Sequence, residues 1–257
     1  MFSTFKSSKK WLLAFGGLLS LFGLIAFTEI QHGQKHVRNV IVQIDPIDDH
    51  RFLTRRDVMG YLTNGGADPI TGKNYADVDL QQLEKRLKQH GLVKNCQISR
   101  DLDGDLLVVI EQPRPLARLV VNGDGVRPVS GQYISEEGYF FPISMNYSAR
   151  VPVLTGNYFA QNRSLASERN RPLLELLKRI HDDPFWQAQI AELSVDTQGN
   201  ITMWPQMGNH KIEFGPPTEL DAKFRKLKIV YTDVLPAKGW DRYSRINVEY
   251  RNQIVCE

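Results

Sequence analysis

Residues 11–27, WLLAFGGLLSLFGLIAF, form an uncharged apolar run directly behind Lys6, Lys9 and Lys10, and that segment constrains how everything after it can be organised. A helix rising ~1.5 Å per residue crosses the hydrocarbon core in roughly 17–25 residues. With Thr28 and Ile30 extending the run, the sequence predicts a transmembrane helix over residues 11–30. Trp11 then falls where interfacial aromatics sit, and the upstream lysines place residues 1–10 in the cytoplasm and the rest of the chain in the exported compartment. A cleaved signal peptide shows the same basic, apolar, polar order, but this stretch exceeds an h-region of ~7–15 residues and no A-x-A site follows it. No cysteine lies near its end, which excludes a lipoprotein.

The remainder of the 257-residue chain is long enough for two small domains or one large one, at ~100–200 residues per domain. A net charge of +3, spread thinly, excludes a nucleic-acid stripe or a polybasic lipid-binding arm. Hydrophobic and charged contents of 42% and 24% argue against long disorder. Cys96 and Cys256 are too few for a disulfide framework, and Cys96 alternates with Leu92 and Ile98 as a buried packing residue would.

After a polar stalk, VRNVIVQID from Val37 has strand composition and Pro46 ends it. Thr54 offers an N-cap for a short helix carrying Val58, Tyr61 and Leu62, which Gly65 and Gly66 stop. Leu80, Leu83 and Leu87 recur at helical spacing behind Asp79 and Gln82, with Gly91 available as a C′ residue. Residues 92–100 and 106–112 then read as two strands joined through Asp103 and Gly104, a strong hairpin pair. Strand, helix, helix, strand, strand is the order of a POTRA domain, which VKNCQISRDLDGDLLVVIEQPRPLARL resembles. Pro113 and Pro115 lack a donor and mark the exit from that sheet.

Beyond Leu116 short runs at 119–121, 133–134, 139–141 and 151–154 are punctuated by glycines and indicate β structure. Pro172 opens a helix with Leu173, Leu176, Leu177 and Ile180 on one face, ending before Pro184. Residues 193–196, 201–204 and 211–214 read as a meander with turns at Gly199-Asn200 and Gly208-Asn209. Thr218 is the expected cap of a second helix bearing Leu220, Phe224, Leu227, Tyr231 and Val234. RINVEYRNQIVC closes the chain as one expected strand, Ile246, Val248, Tyr250 and Ile254 on one face.

YISEEGYFFPIS, RVPVLTG, KIEFGPPTELDAKFRKLKIVY and GWDRYSRINVEYRNQIVC, in that order, resemble the FtsQ/DivIB family of bacterial cell-division proteins. With the N-terminal span and the POTRA-like unit, the resemblance covers nearly the whole chain. It implies an α+β architecture: a cytoplasmic end at 1–10, a transmembrane helix at 11–30, a stalk at 31–36, a POTRA-like β-α-α-β-β domain at 37–115, and a mainly antiparallel β domain with two packed helices at 116–257. Some members carry a further C-terminal tail, whereas this sequence stops after its last strand.

The chemistry of catalysis is not legible. Glu136 and Glu137 are neighbours that point to opposite faces of an extended chain and read as turn charges. His32 and His36 have i, i+4 spacing without a third ligand. Asp101, Asp103 and Asp105 imitate an EF-hand start, but Leu106 stands where Gly is required and Gln112 where Glu is required. No Walker A run, dinucleotide fingerprint, G-x-S-x-G elbow or H-E-x-x-H occurs. The expectation is a non-enzyme with no cofactor and no metal.

The resemblance implies instead a single-pass inner-membrane scaffold at the division septum, holding FtsB-type and FtsL-type partners through its last strand. Carried over by position, that docking edge is Val248, Tyr250, Asn252, Gln253 and Ile254. Strand addition needs an outward backbone N–H, so proline at Asn252 or Gln253 is the expected disruption if those donors face outward. A POTRA-containing chaperone or secretion component is the alternative, opposed by a single POTRA-like unit with no barrel strands after it; a membrane-anchored wall enzyme is a third.

Overall fold

Two separate sheets organise the chain. The computed structural model describes residues 18–20, 36–47, 50–120 and 131–257. They fall into two units, one of the described residues up to Asp45 with Leu53–Glu111, the other of Pro46–Phe52 with Gln112–Glu257. Residues 18–20 are helical and exposed; the rest of the expected span lies outside the described residues. Among the described residues no helix is long and apolar enough to cross a membrane.

The first unit follows the expected order: β1 (Val40–Ile44), α1 (Arg55–Leu62), α2 (Leu80–Lys88), β2 (Asn95–Arg100) and β3 (Leu106–Glu111). Thr54 caps α1 in a reciprocal capping box with Asp57, and Asp79 accepts the Gln82 N–H to start α2. Gly104 turns the β2–β3 hairpin at φ 99°, a conformation glycine adopts without strain. Two of the three aspartates there hold backbone groups, Asp101 accepting from the Leu102 N–H and the Asp105 carboxylate from the Asn39 backbone and side-chain amides. The sheet order is β1-β3-β2, with β1 parallel to β3, and both helices bury one face of it. Cys96 is a free, buried thiol within that core, and burial pushes its pKa up.

The second unit is a nine-stranded sheet: β4 (Pro115–Leu119), β5 (Gln132–Ser135), β6 (Phe140–Pro142), β7 (Val153–Thr155), β8 (Ile190–Val195), β9 (Ile201–Pro205), β10 (Lys211–Gly215), β11 (Arg245–Asn247) and β12 (Val255–Cys256). Its spatial order is β12-β11-β10-β9-β8-β7-β4-β5-β6. The pairs β4–β7, β7–β8 and β10–β11 are parallel and the remaining pairs antiparallel. Glu136 and Glu137 lie in the β5–β6 turn, where Glu136 pairs with Arg114.

α3 (Arg171–Asp182) and α4 (Pro184–Gln189) precede β8, and α5 (Leu220–Ile229) continues through a π-turn at Val230–Val234 into α6 (Leu235–Lys238). Leu173, Leu176, Leu177, Ile180, Trp186, Phe224, Leu227 and Tyr231 pack with Leu193, Met203, Ile212, Phe214 and Ile246 in one core. Full burial of a Leu, Ile or Phe side chain contributes about 1.5–3 kcal/mol, so this helix–sheet interface fixes the unit.

Two expectations need correction, and one helix is additional to those expected. Thr218 is not the cap of α5: Glu219 occupies that position in the left-handed region at φ 50°, without a side-chain cap bond. Lys223 instead secures the helix entry by donating from Nζ to the Phe214 and Pro216 carbonyls. α4 is additional to the expected elements, although Asp183 accepts from the Phe185 N–H and Pro184 sits in its first turn, the usual start signals. The terminal segment is not one strand. It breaks after Asn247, turns at residues 250–252 and returns as β12.

Candidate partner-binding edge

Side-chain parity explains why this hairpin has the alternation of a straight strand. In an antiparallel ladder directly opposed residues share a face, and the register sets Ile246 against Cys256 and Asn247 against Val255. Even-numbered residues therefore face the core in both arms, so period 2 survives the reversal. Arg251 and Asn252, polar residues between apolar runs, are the turn signal that separates the two readings.

The hairpin makes β12 an outer edge of the nine-stranded sheet, with β6 at the other end. Arg245 and Glu257 exchange both backbone bonds, at 3.1 and 3.0 Å. Alternation along an antiparallel ladder then turns the N–H and C=O of Cys256 away from β11, and Ile254, just outside the strand, has the same parity. On β6 the Ser135 N–H bonds the Tyr139 carbonyl at 2.8 Å, which turns the odd positions towards β5. Phe140 and Pro142 turn outward there, and Pro142 has no N–H to offer. Proline at an outward position blunts an edge, so β12 is the edge of this sheet equipped to pair.

The two faces of the edge differ. Towards the core, Ile246 and Val248 are buried, with Ile254 and Cys256 packed partly over the cluster. On the outer face Glu213 accepts from Asn247 at 2.9 Å and pairs with Arg245 and Lys211 at 3.3 and 3.0 Å, while Arg245 also pairs with Glu257. Partial burial would raise the Glu213 pKa, but hydrogen bonds from Lys211 and Asn247 and the Arg245 charge hold it below its ordinary value.

Lys226 of α5 donates from Nζ to the carbonyls of Val248 and Tyr250, and so ties the turn between β11 and β12 to the helix. Burial lowers the pKa of both Lys226 and Lys223. Further back, His210 is buried against the π-turn, its Nε2 2.9 Å from the Tyr231 hydroxyl.

Of the residues expected at the docking edge, Val248 lies in the core, its N–H donated to Glu213 on β10 and its carbonyl held by Lys226. Asn252 lies in the turn and Gln253 between the turn and β12, so neither belongs to the β12 ladder. Tyr250 is 53% exposed beside that ladder, and Ile254 adjoins it. Val255 and Cys256, which form β12, lie within the expected strand but outside the expected docking set, and Lys226 is outside that set too; a lysine at an i, i+3 offset from Lys223 carries no signal that its ammonium caps carbonyls distant in sequence. Among the described residues no group of three or more His, Cys, Asp and Glu is placed to hold a metal ion.

Residues 114–257 match the family model described as FtsQ/DivIB, C-terminal related, and residues 35–111 match that of a POTRA-like domain. The first match alone covers more than half of the chain. The chain belongs to the FtsQ/DivIB family. A comparison with curated proteins finds no match. FtsQ/DivIB proteins are cell-division scaffolds, generally non-enzymatic, that work through interactions with other division proteins, and the edge described above lies within the matched FtsQ/DivIB region.

Proposed function

We propose that this FtsQ/DivIB protein is a membrane-anchored scaffold, cytoplasmic at its N-terminus and exported beyond residue 30, that captures FtsB-type and FtsL-type partners by strand addition at β12. Holding them there links them to septal wall synthesis. The observation that carries the reading is the outward N–H and C=O of Cys256 on a sheet whose other edge is blunted by Pro142. Ladder bonds supply affinity in such an arrangement, and side chains beside the new strand supply specificity. Tyr250, Ile254, Val255 and Cys256 are the contact residues, with Lys226 positioning Tyr250.

The test is the affinity of the full chain in lipid nanodiscs for the exported segment of an FtsB-type partner. Cys256→Pro removes the outward donor and should weaken capture at least tenfold, whereas Asn252→Pro, outside the ladder, should have a smaller effect. Equal capture by parent and Cys256→Pro, with circular dichroism showing both folded, would place docking elsewhere.

A further inference from the structure

The POTRA-like unit has two sheet edges of its own, and their hydrogen bonding differs. On β2 the Ile98 N–H donates to the Glu84 carboxylate at 2.8 Å and the Cys96 N–H to the Asn95 side-chain oxygen at 3.0 Å. The outward donors of Cys96 and Ile98 are thus taken by side chains, Asn95 of β2 and Glu84 of α2. On β1 the Asn39 carbonyl accepts from the Leu106 N–H at 2.9 Å and the Asp45 N–H donates to the Ile110 carbonyl at 3.0 Å. Odd positions therefore face β3, and Val40, Val42 and Ile44 direct their backbone groups away from it.

Along that edge the Val40 carbonyl is held by the Arg55 guanidinium at 3.0 Å, while neither backbone group of Val42 has a partner among the described residues. The sheet face away from the helices is apolar beside it: Ile41 is 47% exposed and lies across from half-buried Leu107, with Val109 next in register against Gln43. A solvent-facing isoleucine beside an edge residue whose backbone groups have no partner is what protein sheets normally avoid. Arg55 and exposed Arg56 make the helix side of the edge cationic, and the neighbouring Asp57 is engaged in the capping box with Thr54.

We propose that β1 is a second docking edge, which takes an extended segment of a partner protein whose side chains alternate apolar and acidic. Apolar side chains of the added strand lie beside Ile41 and Leu107, and carboxylates on the opposite face meet Arg55. Backbone groups of the added strand pair with Val42, and with Val40 once Arg55 has turned to the carboxylate. This edge is independent of β12, and either can fail without the other.

The experiment uses the full chain in lipid nanodiscs and three ten-residue probes that alternate Val with Glu, Gln or Lys. The Val-Glu peptide should slow hydrogen exchange of the Val42 amide at least tenfold and bind at least tenfold more tightly than the Val-Gln peptide, with the Val-Lys peptide weakest. Val42→Pro removes an outward donor and leaves the bonds to β3 intact, and should reduce affinity at least tenfold. Ile41→Lys, which keeps the backbone, should do the same, and Arg55→Gln should abolish the preference for Glu over Gln. Protection confined to Ile254 and Cys256, unchanged affinity in folded Val42→Pro and Ile41→Lys, or a peptide-independent dimer that protects Val42 would each overturn the assignment.

Discussion

Gly156 ends β7 at φ 115° and ψ 162°, where side chains are strained, and a methyl group there would stand 2.0 Å from the Val195 carbonyl oxygen of β8. Ordinary contact begins near 3.4 Å, so Gly156→Ala requires β7 and β8 to part by about 1.4 Å. β7 lies between β4 and β8 and is paired with both, so displacement has no free side. A non-glycine residue in such a backbone region costs about 1–3 kcal/mol and overpacking adds about 1–3 kcal/mol, together about 2–6 kcal/mol. Gly239→Ala is the control: φ is 101° but nothing lies within 4 Å, so only the conformational part applies, about 1–3 kcal/mol. Three of the four tryptophans, Trp186, Trp204 and Trp240, lie in the second unit. Urea unfolding followed by tryptophan fluorescence therefore reports the unit in question. Equal losses in the two variants would refute the close approach of β7 to β8.

The other expectations concern the first core, the outer face of the edge and its turn. Cys96→Ser places a hydroxyl among apolar neighbours and should lower stability by about 1–2 kcal/mol while leaving partner affinity unchanged; the parent thiol should resist labelling until the unit unfolds, and rapid labelling of the native chain contradicts its burial. Glu213 has a folded pKa below its ordinary 4.5, so the folded state holds fewer protons than the unfolded one and its stabilisation is complete above that value. That contribution is lost as pH falls through the lower folded value, and the stability gap between parent and Glu213→Gln should narrow below pH 4.5; a gap independent of pH would show that the charge is immaterial. Lys226→Met removes the donor to two turn carbonyls, so exchange across residues 248–253 should quicken and partner affinity fall several-fold, with Lys226→Arg restoring part of both; unchanged exchange would deny the tether.

Much of the fold is legible because local signals and burial agree. Thr54 with Asp57, Asp79 with Gln82, and Asp103-Gly104 each specify a boundary that the side chains then realise. The failures arise where a distant group decides the local structure. The entry of α5 is set by Lys223 reaching back to Phe214 and Pro216, not by Thr218, and no spacing rule encodes that reach. The terminal hairpin hides because Ile246 and Cys256 share a face, so alternation is identical for a straight strand and for this register. The consequence for the edge is direct: the segment expected to pair holds the turn, and the outward donor belongs to Cys256. Resemblance points to the C-terminal segment, while hydrogen-bond phase, which composition does not carry, shows which of its donors face outward.

Hydrogen exchange at the Ile254 and Cys256 amides, with and without an FtsB-type partner segment, tests strand addition at β12 most directly. The account predicts that both amides exchange at least tenfold more slowly on binding, while the Phe140 amide of the blunted β6 edge is unaffected. Tight binding with no protection at Cys256 would contradict it.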